Sequence, residues 1–193
     1  MSLLESVSSH LTPCTIREYT AEDLPACLRV YHSNEGVYYP AGWVEQFTNF
    51  LERGTSYFLV VEHENEIVGC GGLELSGHGP WARLIYGMIH QDRQKKGLGT
   101  TLLAARLSLL EPEGQPVQAL LRSGTKAASF YDRFGFALQS VAQNHYGPGE
   151  HGGNLELTIT PEEVDALRAA LVERQVNLVI NDLPADETVA EEE

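Results

Sequence analysis

Apolar and polar residues alternate along residues 14–20, CTIREYT, which predicts a first strand. Thr20 follows as an N-cap with Asp23 three residues on, an approximate capping box, and opens a helix over residues 21–34. Residues 40–52, PAGWVEQFTNFLE, begin with proline and read as a second helix. The loop between the two helices, EGVYYP, is rich in aromatics. Residues 56–62 and 67–75 are dense in β-formers and flank the polar turn HENE, so they predict a hairpin. After the loop GHGP, residues 81–90 predict another strand. Leu98, Leu102, Ala105 and Leu109 then fall on one helical face, and Leu103, Leu107 and Leu110 widen it into a mostly buried helix. PVQALLR reads as a strand, and TKAASFYDRFG as a helix ended by Gly135. FALQSVA and NLELTIT predict two strands joined by the loop QNHYGPGEHGG, and residues 161–175 a terminal helix with proline at its start. The order β-α-α-β-β-β-α-β-α-β-β-α defines a mixed α/β domain.

Composition narrows the class. A chain of 193 residues that is 42% hydrophobic suits one domain with a real core. We set residues 1–13 as an N-terminal extension, 14–175 as the domain, and 176–193 as an acidic tail expected to be disordered. No apolar run is long enough to span a bilayer, and the N-terminus lacks a basic n-region, so neither a membrane nor a signal peptide is expected. The three cysteines, Cys14, Cys27 and Cys70, form no CxxC pattern; that argues against a disulfide framework or a metal site and suits a cytoplasmic location. Cys70 reads as a small buried hydrophobe rather than a nucleophile. The formal net charge of −14 disfavours nucleic acid as a partner and mildly attracts cationic small molecules.

Against that acidic background, HQDRQKKGLGTTLL gathers Arg93, Lys95 and Lys96 beside Gly97 and Gly99, at the point where a strand runs into a helix. The first turn of a helix has unpaired N–H groups and a partial positive charge of roughly +0.5. Glycine clears room for an anion against that backbone, and Gln94 adds an amide donor. The stretch reads as a phosphate seat, most naturally for a pyrophosphate. It is neither G-x-x-x-x-G-K-[ST] nor G-x-G-x-x-G, so a nucleotide triphosphatase and a dinucleotide site are not indicated.

A second motif is ASFYDRFGF, residues 128–136. Q-x-x-G-x-G opening a helix after a strand, then F-Y-x-x-x-G-F at the end of the next helix, resembles the GCN5-related N-acetyltransferase (GNAT) superfamily over roughly residues 15–160. The resemblance implies a mixed, mostly antiparallel central sheet flanked by helices. It implies acetyl-CoA as cosubstrate, no metal, and a small-molecule or peptide amine as acceptor, and it allows a homodimer through the late strands. Carried over by position, it names Gln94, Lys95, Lys96, Gly97, Leu98, Gly99 and Thr100 for the pyrophosphate. Met88 and Ile89 would lie along the pantetheine arm, with the Ile89 N–H on the thioester carbonyl. Tyr131 matches the acid that protonates the departing thiolate, the reading preferred over simple packing beside Phe130 and Phe134. Many members carry asparagine seven residues before that tyrosine; here the position is Gly124, flanked by Ser123 and Thr125. Lys126 is placed either on the 3′-phosphate or in solvent. Glu74 is the candidate base, with His78 as the alternative. The first loop and the late hairpin would bring Glu35, Tyr38, Tyr39, His145 and Tyr146 around the amine; loop packing explains the tyrosines as well. Two functions follow: direct acetyl transfer to a primary amine, or a non-catalytic acyl-CoA-binding regulatory module.

Overall fold

A computed structural model describes residues 3–54, 57–77 and 79–181. Six helices and eight strands follow one another as α1 (Leu3–Ser8), β1 (Thr15–Glu18), α2 (Leu24–Asn34), α3 (Val44–Arg53), β2 (Tyr57–His63), β3 (Glu66–Leu75), β4 (Trp81–Ile89), α4 (Leu98–Ser108), β5 (Val117–Gly124), α5 (Thr125–Asp132), β6 (Ala137–Gly147), β7 (Glu150–Ile159), α6 (Pro161–Glu173) and β8 (Asn177–Val179). The strands form one sheet in the order β6-β7-β5-β4-β3-β2-β1-β8. The β4–β5 and β1–β8 pairs are parallel and the rest antiparallel, which is the mixed, mostly antiparallel class expected.

Strand alternation sorts side chains into two layers. Leu59 and Val61 join the larger core under α1, α4 and α6. Phe58, Val60, Cys70 and Met88 face the other way, against Cys27, Val30 and Tyr31 of α2 and Phe47 and Leu51 of α3. Helix α4 lies within the larger core, and nearly every residue from Leu98 to Ser108 is buried. That accounts for a leucine stripe too wide for a surface helix.

Three local features depart from the pattern reading. The stretch QNHYGPGEHGG, expected as a loop, is mostly strand: β6 continues to Gly147 and β7 starts at Glu150. Residues 177–179, placed in the tail, pair in parallel with β1, and Val176 is buried. Leu3, Val7 and Leu11, placed in the extension, are buried in the larger core. Most of the acidic tail, and His78, lie outside the described residues.

Candidate active site

The sheet opens where the parallel pair ends. β4 and β5 are paired only from Trp81↔Gln118 to Leu84↔Leu121, so residues 85–89 have no partner on that side. The His90 N–H donates to Val68 O at 2.8 Å. By antiparallel alternation the Ile89 N–H therefore turns away from β3 and toward the opening. Midway along this edge β4 carries one extra residue between Ile85 and Met88 opposite Gly71, with Tyr86 at φ 46°, a β-bulge. Such a backbone costs roughly 1–3 kcal/mol.

A cleft of about 1340 Å³ fills the opening. At one end stands the N-terminus of α4, with Gly97 as N-cap and no side chain capping it. Lys95 at φ 59° and Gly97 at φ 82° curl the chain so that the first amides of α4 face the cleft. Lys95, Gly97, Gly99 and Thr100 line it, as do Lys126 and Arg133. Among the described residues its lining holds five cations, the others being Arg106 and Arg122, and a single carboxylate, Glu150.

Several residues named from the sequence have other work. Gln94 lines the cleft, but its amide donates to Ile89 O at 3.0 Å and Asn34 Oδ1 at 3.1 Å, so it braces the end of β4 instead of offering a free donor. Buried Asn34 completes that brace, donating to Ile89 O at 3.1 Å. Arg93 is paired with Glu64 and Glu66 and belongs to the β2–β3 turn. Lys96 is outside the lining, with its carbonyl accepting from the Thr12 hydroxyl, and Leu98 is buried in the core. The room at Gly97 faces His10 O and Thr12 Oγ1, not an anion, and a Cβ at Gly99 would meet the Phe130 ring at an ordinary 3.5 Å.

Tyr131 lines the inner end, its ring edge-on to Phe130 and Phe136 at 5.0 and 5.6 Å between centroids. Gly124 starts α5 uncapped, with Ser123 and Thr125 beside it in the lining. Met88 and Ile89 run along the cleft. Tyr38, Tyr39 and Tyr146 also line the cleft. Tyr39 stacks on Tyr86, and burial, then Tyr131 and Tyr146, holds its hydroxyl well above the usual tyrosine range. Tyr146 donates to Arg122 O at 3.4 Å. His145 stands behind it against Trp43, outside the lining. Glu35 also lies outside, accepting from the Gly42 N–H at 2.9 Å and pairing with His32 at 3.1 Å. Glu74 pairs with Arg83 at 3.3 Å across β3 and β4 and does not line the cleft.

Sequence reasoning passed over Asn34, Arg106, Arg122 and Arg133. The signal for Arg106 was present, as a lone arginine amid LLAA and LSLL in a helix read as buried. Arg106 is 2% exposed and lines the cleft.

A cleft at the parting of two parallel strands, with an uncapped helix N-terminus at its end, is an arrangement that can seat an anionic group along a strand edge. Residues 54–138 match the family model described as acetyltransferase (GNAT) domain. Solved structures share the fold. The ribosomal-protein-S18-alanine N-acetyltransferase from Escherichia coli is 20% identical with a TM-score of 0.63, the match covering 76% of this chain and 94% of that one. The aminoglycoside 6'-N-acetyltransferase from Enterococcus faecium is 14% identical with a TM-score of 0.58, covering 76% and 97%. The yncA protein from Salmonella typhimurium, solved with its cofactor acetyl-CoA, is 16% identical with a TM-score of 0.57, covering 76% and 94%. A search of curated proteins finds no match.

Proposed function

We propose that this chain is an acetyl-CoA-dependent N-acetyltransferase that acts on a primary amine. The observation that carries the reading is the uncapped N-terminus of α4, opening into a cleft that runs along the unpaired edge of β4 to Tyr131. The residues present fit the coenzyme. Amides of residues 97–100 and the cations Lys95, Lys126 and Arg133 suit its phosphates. Outward N–H groups on residues 85–89 suit the amides of its arm.

When bound, the coenzyme supplies an acetyl thioester. The Ile89 N–H polarises a carbonyl placed against it, as oxyanion-hole donors do. Tyr131 would give its hydroxyl proton to the sulfur as the amine nitrogen bonds the acetyl carbon and the C–S bond breaks, and would regain a proton by way of solvent as the amine loses one. Tyr38, Tyr39 and Tyr146 form the wall on which a cationic amine would rest, by cation–π contact. Glu74, paired with Arg83 outside the lining, would act as base only through water; Tyr86 lines the cleft, and burial first, then Glu74, holds its hydroxyl above the usual tyrosine range. The names of the two characterised neighbours, one for a ribosomal-protein alanine and one for an aminoglycoside, support an amine acceptor and leave its class open.

A thiol-release assay tests the reading with acetyl-CoA and a panel comprising an alanyl peptide, lysine, spermidine and kanamycin. Thiol release with at least one amine is expected. Binding of acetyl-CoA by calorimetry with no release for any of them would instead identify an acyl-CoA-binding module. No binding heat at all would sink the coenzyme assignment.

A further inference from the structure

Arg106 is the one buried arginine in the leucine stripe of α4, and the helix has no evident need for it. Its Nε donates to Leu102 O at 3.4 Å, and among the described residues no carboxylate pairs with it. An unpaired buried charge costs several kcal/mol, and an apolar residue of the same length would serve packing as well or better. The surrounding fold makes a place for it all the same. A Cβ at Gly87 would sit 2.8 Å from Nη2, and one at Gly71 3.3 Å from Nη1, so two glycines on adjacent strands form the slot for the guanidinium. Cys70 and Met88 point to α2 and α3, so Gly71 and Gly87, next to them, turn their open faces to α4. The slot is therefore on the side of the sheet that carries Tyr131, which lines the same cleft; burial lowers the guanidinium pKa and Tyr131 opposes that. The wall of Tyr38 and Tyr146, where an acceptor would enter, belongs to the other elements. The titratable groups close enough to act on the guanidinium are Tyr131 of α5, Tyr39 of the α2–α3 connection and, from the far face of β3, Cys70, and none is a carboxylate.

We infer that Arg106, seated against Gly71 and Gly87, sets a fixed positive charge in the cleft that favours the thiolate form of a thiol bound against Gly87. The inference rests on the coenzyme reading above. The proton of that thiol passes to solvent; Arg106 remains protonated throughout.

Coenzyme A itself is the probe, and no acceptor is needed. Its thiolate is followed by ultraviolet absorbance against pH, bound and free, with binding measured by calorimetry. In the wild-type protein the bound thiol is expected to titrate about one unit or more below the free one, as an opposite charge at close range dictates. Arg106→Met should abolish that shift without lowering the melting temperature. Arg106→Gln, which keeps a hydrogen-bond donor and drops the charge, should behave like Arg106→Met, and Arg106→Lys should retain part of the shift. Tyr131→Phe should keep it. Equal titration of bound coenzyme A in wild type and in both uncharged variants overturns the inference and leaves the coenzyme reading standing. Failure of the wild-type protein to bind coenzyme A removes both.

Discussion

Gly97 and Gly99 sit in one turn, yet their surroundings demand different things. Gly97 has φ 82°, and a Cβ there would run into His10 O and Thr12 Oγ1. Gly97→Ala is therefore expected to cost roughly 1–3 kcal/mol in urea unfolding, as strain and not as a blocked ligand. At Gly99 the new methyl would only touch Phe130, and alanine is the better helix former by up to about 1 kcal/mol. Gly99→Ala should melt no lower than wild type, and any penalty should appear in acetyl-CoA affinity by calorimetry. Tyr131→Phe belongs to neither case: turnover should fall about 10²–10⁴-fold while acetyl-CoA affinity stays within a fewfold of wild type. The motif spacing made all three positions visible in the sequence. Side-chain direction was not visible, because a residue's face depends on what packs over it. Glu35 and Glu74 were named for their charge, and their carboxylates turn to Gly42, His32 and Arg83.

Elements were legible in proportion to how one-sided their burial is. β2, β3 and α4 carry dense apolar patterns, and their positions match the reading closely. β6 is exposed along most of its length and its pairing with β7 shifts register twice, so its far half shows polar residues and glycine and reads as loop. α1 and β8 have only six and three residues, too short to show a period and ordered by what they pack on. The turn from β1 into α2 shows a local signal reinforced by tertiary structure. Thr20 N–H donates to Asp23 at 2.8 Å, as the capping pattern implies, and Arg17 then clamps the same carboxylate with two bonds of 2.7 and 2.8 Å while also holding Glu62. The Arg17 bonds hold the Asp23 carboxyl below its usual range. A carboxyl depressed in the folded state binds fewer protons there than in the unfolded chain. Its contribution is thus present above the unfolded value, about pH 4, and is lost as pH falls through the folded one. Asp23→Asn should cost roughly 1.5–3 kcal/mol at about pH 7 by urea unfolding. The gap to wild type should close at about pH 2, and a gap independent of pH would show that the clamp is not electrostatic.

At the scale of the molecule, the two ends of the described chain complete different parts of the fold. β8 adds to β1 at the sheet edge, α1 packs against α4 and α6, and the segment after α1 reaches the cleft. That segment contributes His10 to the lining. It also ties the anion seat in place: the Thr12 N–H donates to Thr101 Oγ1 at 2.9 Å, and the Thr12 hydroxyl donates to Lys96 O. A net charge of −14 surrounds a cleft whose charged lining residues are mostly cations, so its local charge differs in sign from that of the whole chain. Its reach depends on holding Lys95 and the first turn of α4 in one geometry. Deleting residues 1–11 would confound this tie with the loss of Leu3, Val7 and Leu11, each worth roughly 1.5–3 kcal/mol of burial, a sum comparable to the stability of a whole domain. Thr12→Val separates the two. It removes the hydroxyl bond to Lys96 O at nearly constant volume, keeps the N–H bond to Thr101 and leaves the core untouched. The melting temperature should drop by a few degrees at most, and coenzyme A affinity should fall about fivefold, the equivalent of one hydrogen bond. Thr12→Ser should recover it. If Thr12→Val binds as tightly as wild type, the segment from residue 10 to 12 packs on the seat without shaping it.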